Sequence, residues 1–312
     1  MNAVAESADP FVHPALFYRD EREYLAGVVP FVRKALAAGE PVAVAVPTEN
    51  LGLLKAEIGA DAGVRFIDMR EAGRNPGRII PNVLRAFADA QPPGIPVRIV
   101  GEPIWAGRSA TEYPACVQHE ALINAAFEGR DVTILCPYDT RRLDPQVVAD
   151  AYATHPVVID ADSGRERESG RYDFEAVHAR YNEPLPPAPG VPAHAFVADL
   201  LGEVRHLATE AGARLGLVRP RLDDLALAAA ELTTNSVLHG GGSGSLRVWA
   251  EDGYVVCEVR DKGHLTDLLA GRRPPSRDRQ GGRGLLIVNL VADLVRVYTG
   301  PEGTTVRCWF VC

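Results

Sequence analysis

The sequence has no C-x-x-C pair, no G-x-x-x-x-G-K-[ST] loop, no basic excess and no apolar run near the roughly 18–20 residues of a membrane span. Each absence excludes a class. Five cysteines (116, 136, 257, 308 and 312), odd in number and scattered, argue against a disulfide frame or a zinc site and for small buried hydrophobes or free thiols. Cys308 and Cys312, evenly spaced on one expected strand, should share a face and pack in the core. With 33 basic against 41 acidic residues the net charge is −8, which disfavours phosphate-backbone binding, so no direct nucleic-acid partner is expected. The opening MNAVAESADPF has neither a basic n-region nor an apolar h-region, so no signal peptide and no membrane partner are expected, and the location is read as cytoplasmic.

What is present suits an ordinary soluble α/β chain. Hydrophobic residues make up 46% and charged residues 24% of 312 positions, enough for two domains with separate cores. The first half alternates short β-branched runs (Pro41–Val46, Val64–Ile67, Val97–Val100, Val132–Leu135, Val157–Ile159) with helical patterns at about 51–58, 81–90, 113–127 and from 145. That alternation predicts a parallel sheet covered on both faces. Residues 160–192 turn polar and then proline-rich, ending in Pro184-Leu-Pro-Pro-Ala-Pro-Gly-Val-Pro192, and read as a stiff linker. This divides the chain into a domain at 1–159, a linker at 160–192 and a domain at 193–312. In the second half, helical patterns at about 194–215 and 221–239 precede a hairpin around 251–253. A polar loop at 271–280, a helix at 284–292 and two closing strands follow, as expected for an α/β sandwich.

The chemistry concentrates there. Glu231, Asn235 and His239 stand at i, i+4 and i+8 on one helical face, while Leu225, Ala228, Ala229, Leu232 and Ser236 form a separate, small and mostly apolar stripe. A carboxylate beside a carboxamide suits a general base next to a magnesium ligand. Alone, three aligned polar residues are more often a solvated face. Here they precede Asp261-Lys-Gly263, then Gly281-Gly282-Arg283-Gly284-Leu285, whose glycines suit a loop closing over phosphates before a helix N-terminus.

In that order the motifs resemble those of the GHKL ATPases, and over about 193–312 the chain is most similar to the bacterial anti-sigma-factor serine kinases. The resemblance implies a Bergerat-type sandwich binding ATP and Mg²⁺. Asn235 would ligate Mg²⁺ and Glu231 would be the base. Asp261 would hold the adenine amino group and Gly263 would let the backbone come close. Gly282, Arg283, Gly284 and Leu285 would form the phosphate loop, with Arg279 and Arg283 either adding charge or merely solvated. Thr304, in Gly303-Thr-Thr-Val306, would support the base. His239 would lie beside the phosphates or cap its helix before Gly240. One departure stands out: the family pattern D-x-G-x-G has Leu265 at its second glycine.

No S-H-E-x-x-x-P phosphoacceptor sequence precedes the acidic helix, and His206, 25 residues before Glu231, reads as an exposed helix residue. The resemblance therefore implies a protein serine/threonine kinase acting with a sigma factor and a STAS-type antagonist. A non-catalytic nucleotide-binding module and an orphan histidine kinase are the alternatives, and a homodimer is compatible with either. Residues 11–159 resemble the MEDS sensory domain, a RecA-like fold without a P-loop, through His13–Tyr18, Gly39–Val46, Arg98–Trp105, His119–Asn124 and Cys136–Asp139. Its ligand is unknown. Glu102 and Trp105 would line a cleft or seal the sheet end. Glu120 and Asn124, one turn apart, would contact that ligand or pair structurally. His119, His155, His178 and His194 show no metal-ligand company in the sequence.

Overall fold

The computed structural model describes residues 9–274 and 282–312. The chain forms two compact units: one up to Gly73 together with Asn82–His178, the other Arg74–Pro81 together with Ala179–Cys312. Gly281 and Arg279, singled out in the sequence, lie outside the described residues.

The first unit runs β1 (Pro14–Tyr18), α1 (Glu21–Ala37), β2 (Val42–Val46), α2 (Thr48–Ile58), β3 (Arg65–Asp68), α3 (Met69–Ala72), α4 (Arg85–Ala88), β4 (Val97–Gly101), α5 (Tyr113–Phe127), β5 (Val132–Asp139), α6 (Pro145–Thr154), β6 (Val157–Asp160), β7 (Arg165–Glu168) and α7 (Phe174–Arg180). Its sheet has the order β3-β2-β4-β5-β1-β6-β7, and every pair is parallel except β6–β7. Covered on both faces, its strands need no polar alternation, and all five residues of β2 (VAVAV) are buried. Two readings are corrected. Only Arg85–Ala88 of the helix expected over 81–90 is α-helical; a 3-10 turn (Pro76–Arg78) and a π-helical turn (Ile80–Leu84) precede it, since Pro76 and Pro81 cannot donate to a helical ladder. The stretch 160–192 is not all linker, because Arg165–Glu168 pairs with β6 and Phe174–Arg180 is helical. The polar character of β7 fits an edge strand exposed along its length.

The second unit runs β8 (His194–Val197), α8 (Leu201–Arg214), α9 (Arg221–His239), β9 (Ser243–Glu251), β10 (Tyr254–Asp261), α10 (Gly284–Val291), β11 (Leu294–Gly300) and β12 (Gly303–Val311). Its antiparallel sheet has the order β11-β12-β10-β9-β8. The expected helix start at 194 is wrong: His194–Val197 pairs with β9 and buries only Phe196, an alternation that belongs to a strand. The hairpin β9–β10 turns on Asp252 (φ 48°) and Gly253 (φ 81°), the two positive dihedrals of a tight two-residue turn. The small-residue stripe of α9 is buried in the sheet-facing core with Val255, Cys257 and Phe310. Cys308 packs in that core. Cys312 does not, because β12 ends at Val311 and leaves it exposed.

The other face of this sheet is covered by the proline segment. Arg307 donates to the Pro186 carbonyl at 2.7 Å and to Glu258 at 2.5 and 3.0 Å, and its guanidinium lies over the Trp249 ring at 5.0 Å. Both charged residues are about 95% buried. Removing one partner of such a pair leaves the other charge stranded, so Glu258→Ala should destabilise this unit by about 3–5 kcal/mol, read as a lower denaturation midpoint.

Candidate functional site

The sandwich core positions the polar face of α9. Because the Leu225–Ser236 stripe faces the sheet, Asn235 and His239 turn toward a cavity of about 340 Å³. Asp261, Gly263, Leu265, Gly282, Gly284, Leu285 and Thr304 line the same cavity, so residues from four separate motifs converge on one space. Glu231 stands at its edge against the start of α10. A Cβ built on Gly284 would lie 2.7 Å from the Asn235 amide nitrogen and 2.9 Å from a Glu231 carboxylate oxygen. A side chain there would have to displace both tips, so the bare backbone lets the first turn of α10 sit against the acid and the amide together. Arg283 is exposed at the N-cap of α10 and does not line the cavity.

Asp261 is fixed from two sides. The Ser236 hydroxyl donates to one carboxylate oxygen at 2.7 Å and the Gly263 N–H to the other at 2.8 Å. Gly303 (φ 118°) follows, where a Cβ would strike the Asp261 carbonyl oxygen. Opposite, the Thr304 hydroxyl donates to the Gly263 carbonyl at 2.8 Å and lies 3.0 Å from the Thr299 hydroxyl. Thr304 spends its one proton on that carbonyl, so Thr299 must donate to Thr304, while Thr299 accepts from the Leu265 N–H at 3.1 Å. Residue 265 is thus tied by its backbone, whatever its side chain. Sequence reasoning placed Ser236 only in the packing stripe and passed over Thr299. Ser236 does both jobs, and its position beside Asn235 was the available signal.

A larger cleft of about 550 Å³ lies under Pro184–Val191, but the Arg307–Glu258 pair lining it is already mutually satisfied. The motif residues line the smaller cavity. His206 is exposed on α8, 3.1 Å from Glu210 one turn on.

In the first unit the C-terminal end of the sheet centres on Glu102, which follows β4 and is 3% exposed. Asn50 donates to both its oxygens at 3.0 and 2.8 Å, and the Tyr18 and Tyr24 hydroxyls approach at 3.4 Å. Burial pushes the Glu102 carboxyl up to about 8, against the pull of those hydrogen bonds. Between its ordinary 4.5 and about 8, the folded chain keeps a proton that the unfolded chain releases. Its contribution is therefore full at low pH and is lost as pH rises across that interval. Thermal melts across the interval should show stability falling with pH, and Glu102→Gln should flatten the slope. Trp105 stacks under the Arg108 guanidinium at 3.8 Å.

Glu120 and Asn124 are both buried. Glu120 lies 3.4 Å from the Nε2 of His13 and 3.3 Å from that of His155. Asn124 Oδ1 is 3.2 Å from His13 Nδ1, and Cys136 Sγ is 3.4 Å from His13 Nε2. The expectation that His155 lacks metal-ligand company, and that no cysteine joins a metal-type cluster, is therefore corrected. The four residues are distant in sequence, and only β1 lying between β5 and β6 brings them together. Burial, with His155 alongside, pushes the His13 imidazole down to about 4.

A helix pair and a β-sheet enclosing an acid–amide face, an oriented aspartate and a glycine-bearing loop define a GHKL-type ATPase sandwich. Comparison with known families agrees: residues 196–310 match the histidine kinase-like ATPase domain, and residues 12–156 match the methanogen/methylotroph, DcmR sensory (MEDS) domain. Along the chain the sensory-domain match comes first and the ATPase-domain match second. No curated protein matches it. Among the described residues, no helix is long and apolar enough to cross a membrane.

Proposed function

We propose that the chain is an ATP-dependent protein serine/threonine kinase switch of the anti-sigma-factor type, governed by its MEDS domain. The observation that carries this reading is the convergence of Glu231, Asn235 and the bare Gly284 backbone on one edge of the cavity that Asp261 closes at the other. The residues suit Mg·ATP. Asn235 would supply one hard oxygen ligand, which is enough for an ion that keeps several waters and phosphate oxygens. When bound, ATP supplies the transferable phosphoryl group. Asp261, already accepting from Ser236 and Gly263, is oriented to accept from an exocyclic amine. Glu231 is placed to take the proton of an attacking hydroxyl, and the first turn of α10 offers N–H groups to anionic oxygens. The partners are a sigma factor and a STAS-type antagonist phosphorylated on serine or threonine, a proposal that the sequence resemblance supports. ATP binding with and without Mg²⁺, followed by a phosphotransfer screen against STAS-domain proteins, tests the proposal. Mg²⁺-dependent binding without transfer to any of them would rule out the kinase.

A second reading, a non-catalytic nucleotide-binding module, draws on Leu265 in the cavity lining where the family pattern has glycine. It requires affinity that depends on Asn235 with no turnover.

A further inference from the structure

The first unit contains a polar cluster that the proposed kinase reaction does not use. His13 precedes β1, Glu120 sits on α5, Cys136 lies within β5, and His155 follows α6. All four are about 99% buried or more. One ligand-type atom from each lies within 4.8 Å of all the others. The separations that bear on geometry are shorter: 3.4 and 3.3 Å from the Glu120 carboxylate to the two Nε2 atoms, and 3.4 Å from Cys136 Sγ to His13 Nε2. A tetrahedral ion with bonds of about 2.0–2.3 Å sets its ligand atoms roughly 3.3–3.8 Å apart. Three of the six edges already have such lengths, and the others are within 4.8 Å.

Outer contacts fix the rings in the orientation an ion needs. His13 Nδ1 faces Asn124 Oδ1 at 3.2 Å, and His155 Nδ1 faces the Ala151 carbonyl at 2.9 Å. Each imidazole thus has its proton engaged on Nδ1, which leaves the Nε2 lone pair aimed inward. Inward, the partners run out. Neither Glu120 oxygen has a hydrogen-bond partner, nor does His155 Nε2, and all three atoms are sealed from water. A buried carboxylate without donors is costly, and a hydrogen-bonded network among these four groups leaves that cost standing.

We infer that His13, Glu120, Cys136 and His155 form a tetrahedral site for a divalent transition-metal ion of the zinc class, built into the MEDS domain. Two imidazoles, a thiolate and a carboxylate are borderline-soft donors, which favour zinc or cobalt over magnesium or calcium. Charge balances as well: the thiol releases one proton to solvent as its sulfur binds the ion, and two anionic ligands then neutralise the dication in a dry interior. The ion would link α5 to β5 and to the residues just before β1 and β6, three strands adjacent in the sheet. Metal occupancy is thereby coupled to the packing of the sensory unit.

The test uses the full chain, stripped with chelator and titrated with Co²⁺ without nucleotide, so that Asn235 has no phosphates to complete a shell. One Co²⁺ per chain should bind, with a thiolate-to-cobalt charge-transfer band that Zn²⁺ abolishes by displacement. Cys136→Ser should lose the band, and His155→Gln should weaken binding at least tenfold. Cys312→Ser, which removes the exposed thiol, should change nothing. For variants that fold poorly, a Zn²⁺-dependent rise in the melting temperature of the unsubstituted chain serves as a second readout. A band that survives Cys136→Ser, or an unsubstituted chain with neither stoichiometric binding nor thermal stabilisation, overturns the site.

Discussion

Glu231→Gln should cut phosphotransfer by about 10²–10⁴-fold while leaving Mg·ATP affinity unchanged. The substitution preserves the shape of the side chain against Gly284, where a carboxylate oxygen stands 2.9 Å from the position a Cβ would take. It removes the proton acceptor and keeps the wall. A base that acts only as the hydroxyl is deprotonated contributes to the transition state and not to ground-state binding, so the loss belongs in kcat. Single-turnover transfer rates beside calorimetric ATP titration separate the two. Equal losses in both would mean that Glu231 merely shapes the cavity.

Asn235→Ala should have the opposite signature. Its carboxamide faces the cavity four residues on from Glu231, and no described neighbour in the motifs offers a second amide oxygen at that edge. Loss of the protein's own ligand should lower Mg·ATP affinity by at least the roughly 10–100-fold that removal of an outer-shell partner costs. Nucleotide affinity measured in chelator, without Mg²⁺, should scarcely change. Titration of both proteins with and without Mg²⁺ checks this: a loss that is equally large in chelator would assign Asn235 to the nucleotide and not to the ion.

The second unit was the more legible of the two because its signals are local. Leu225, Ala228, Ala229, Leu232 and Ser236 repeat at helical spacing and are all buried, so the face left for Glu231, Asn235 and His239 follows directly. The strand at His194–Val197 was missed because four residues before a helix carry too short a pattern. In the first unit β1 and α1 went unassigned: Pro14 opens the strand and Pro30 sits inside the helix, where it costs one hydrogen bond without ending it. The His13–Glu120–Cys136–His155 cluster was illegible for a different reason. Each residue is alone in its stretch of sequence, and the strand crossover that inserts β1 between β5 and β6 has no local signature. The Glu102 environment was half visible, since the acid after β4 was noticed while Tyr18, Tyr24 and Asn50 arrive from other elements.

The acid stability of the transferred phosphate tests the central claim most directly. After incubation with Mg·ATP and a STAS-type antagonist, acid-stable phosphate should appear on a serine or threonine of the antagonist, with no acid-labile phosphate on the chain itself. Acid-labile phosphate on the chain, and none on the antagonist, would contradict the account and make it a histidine kinase.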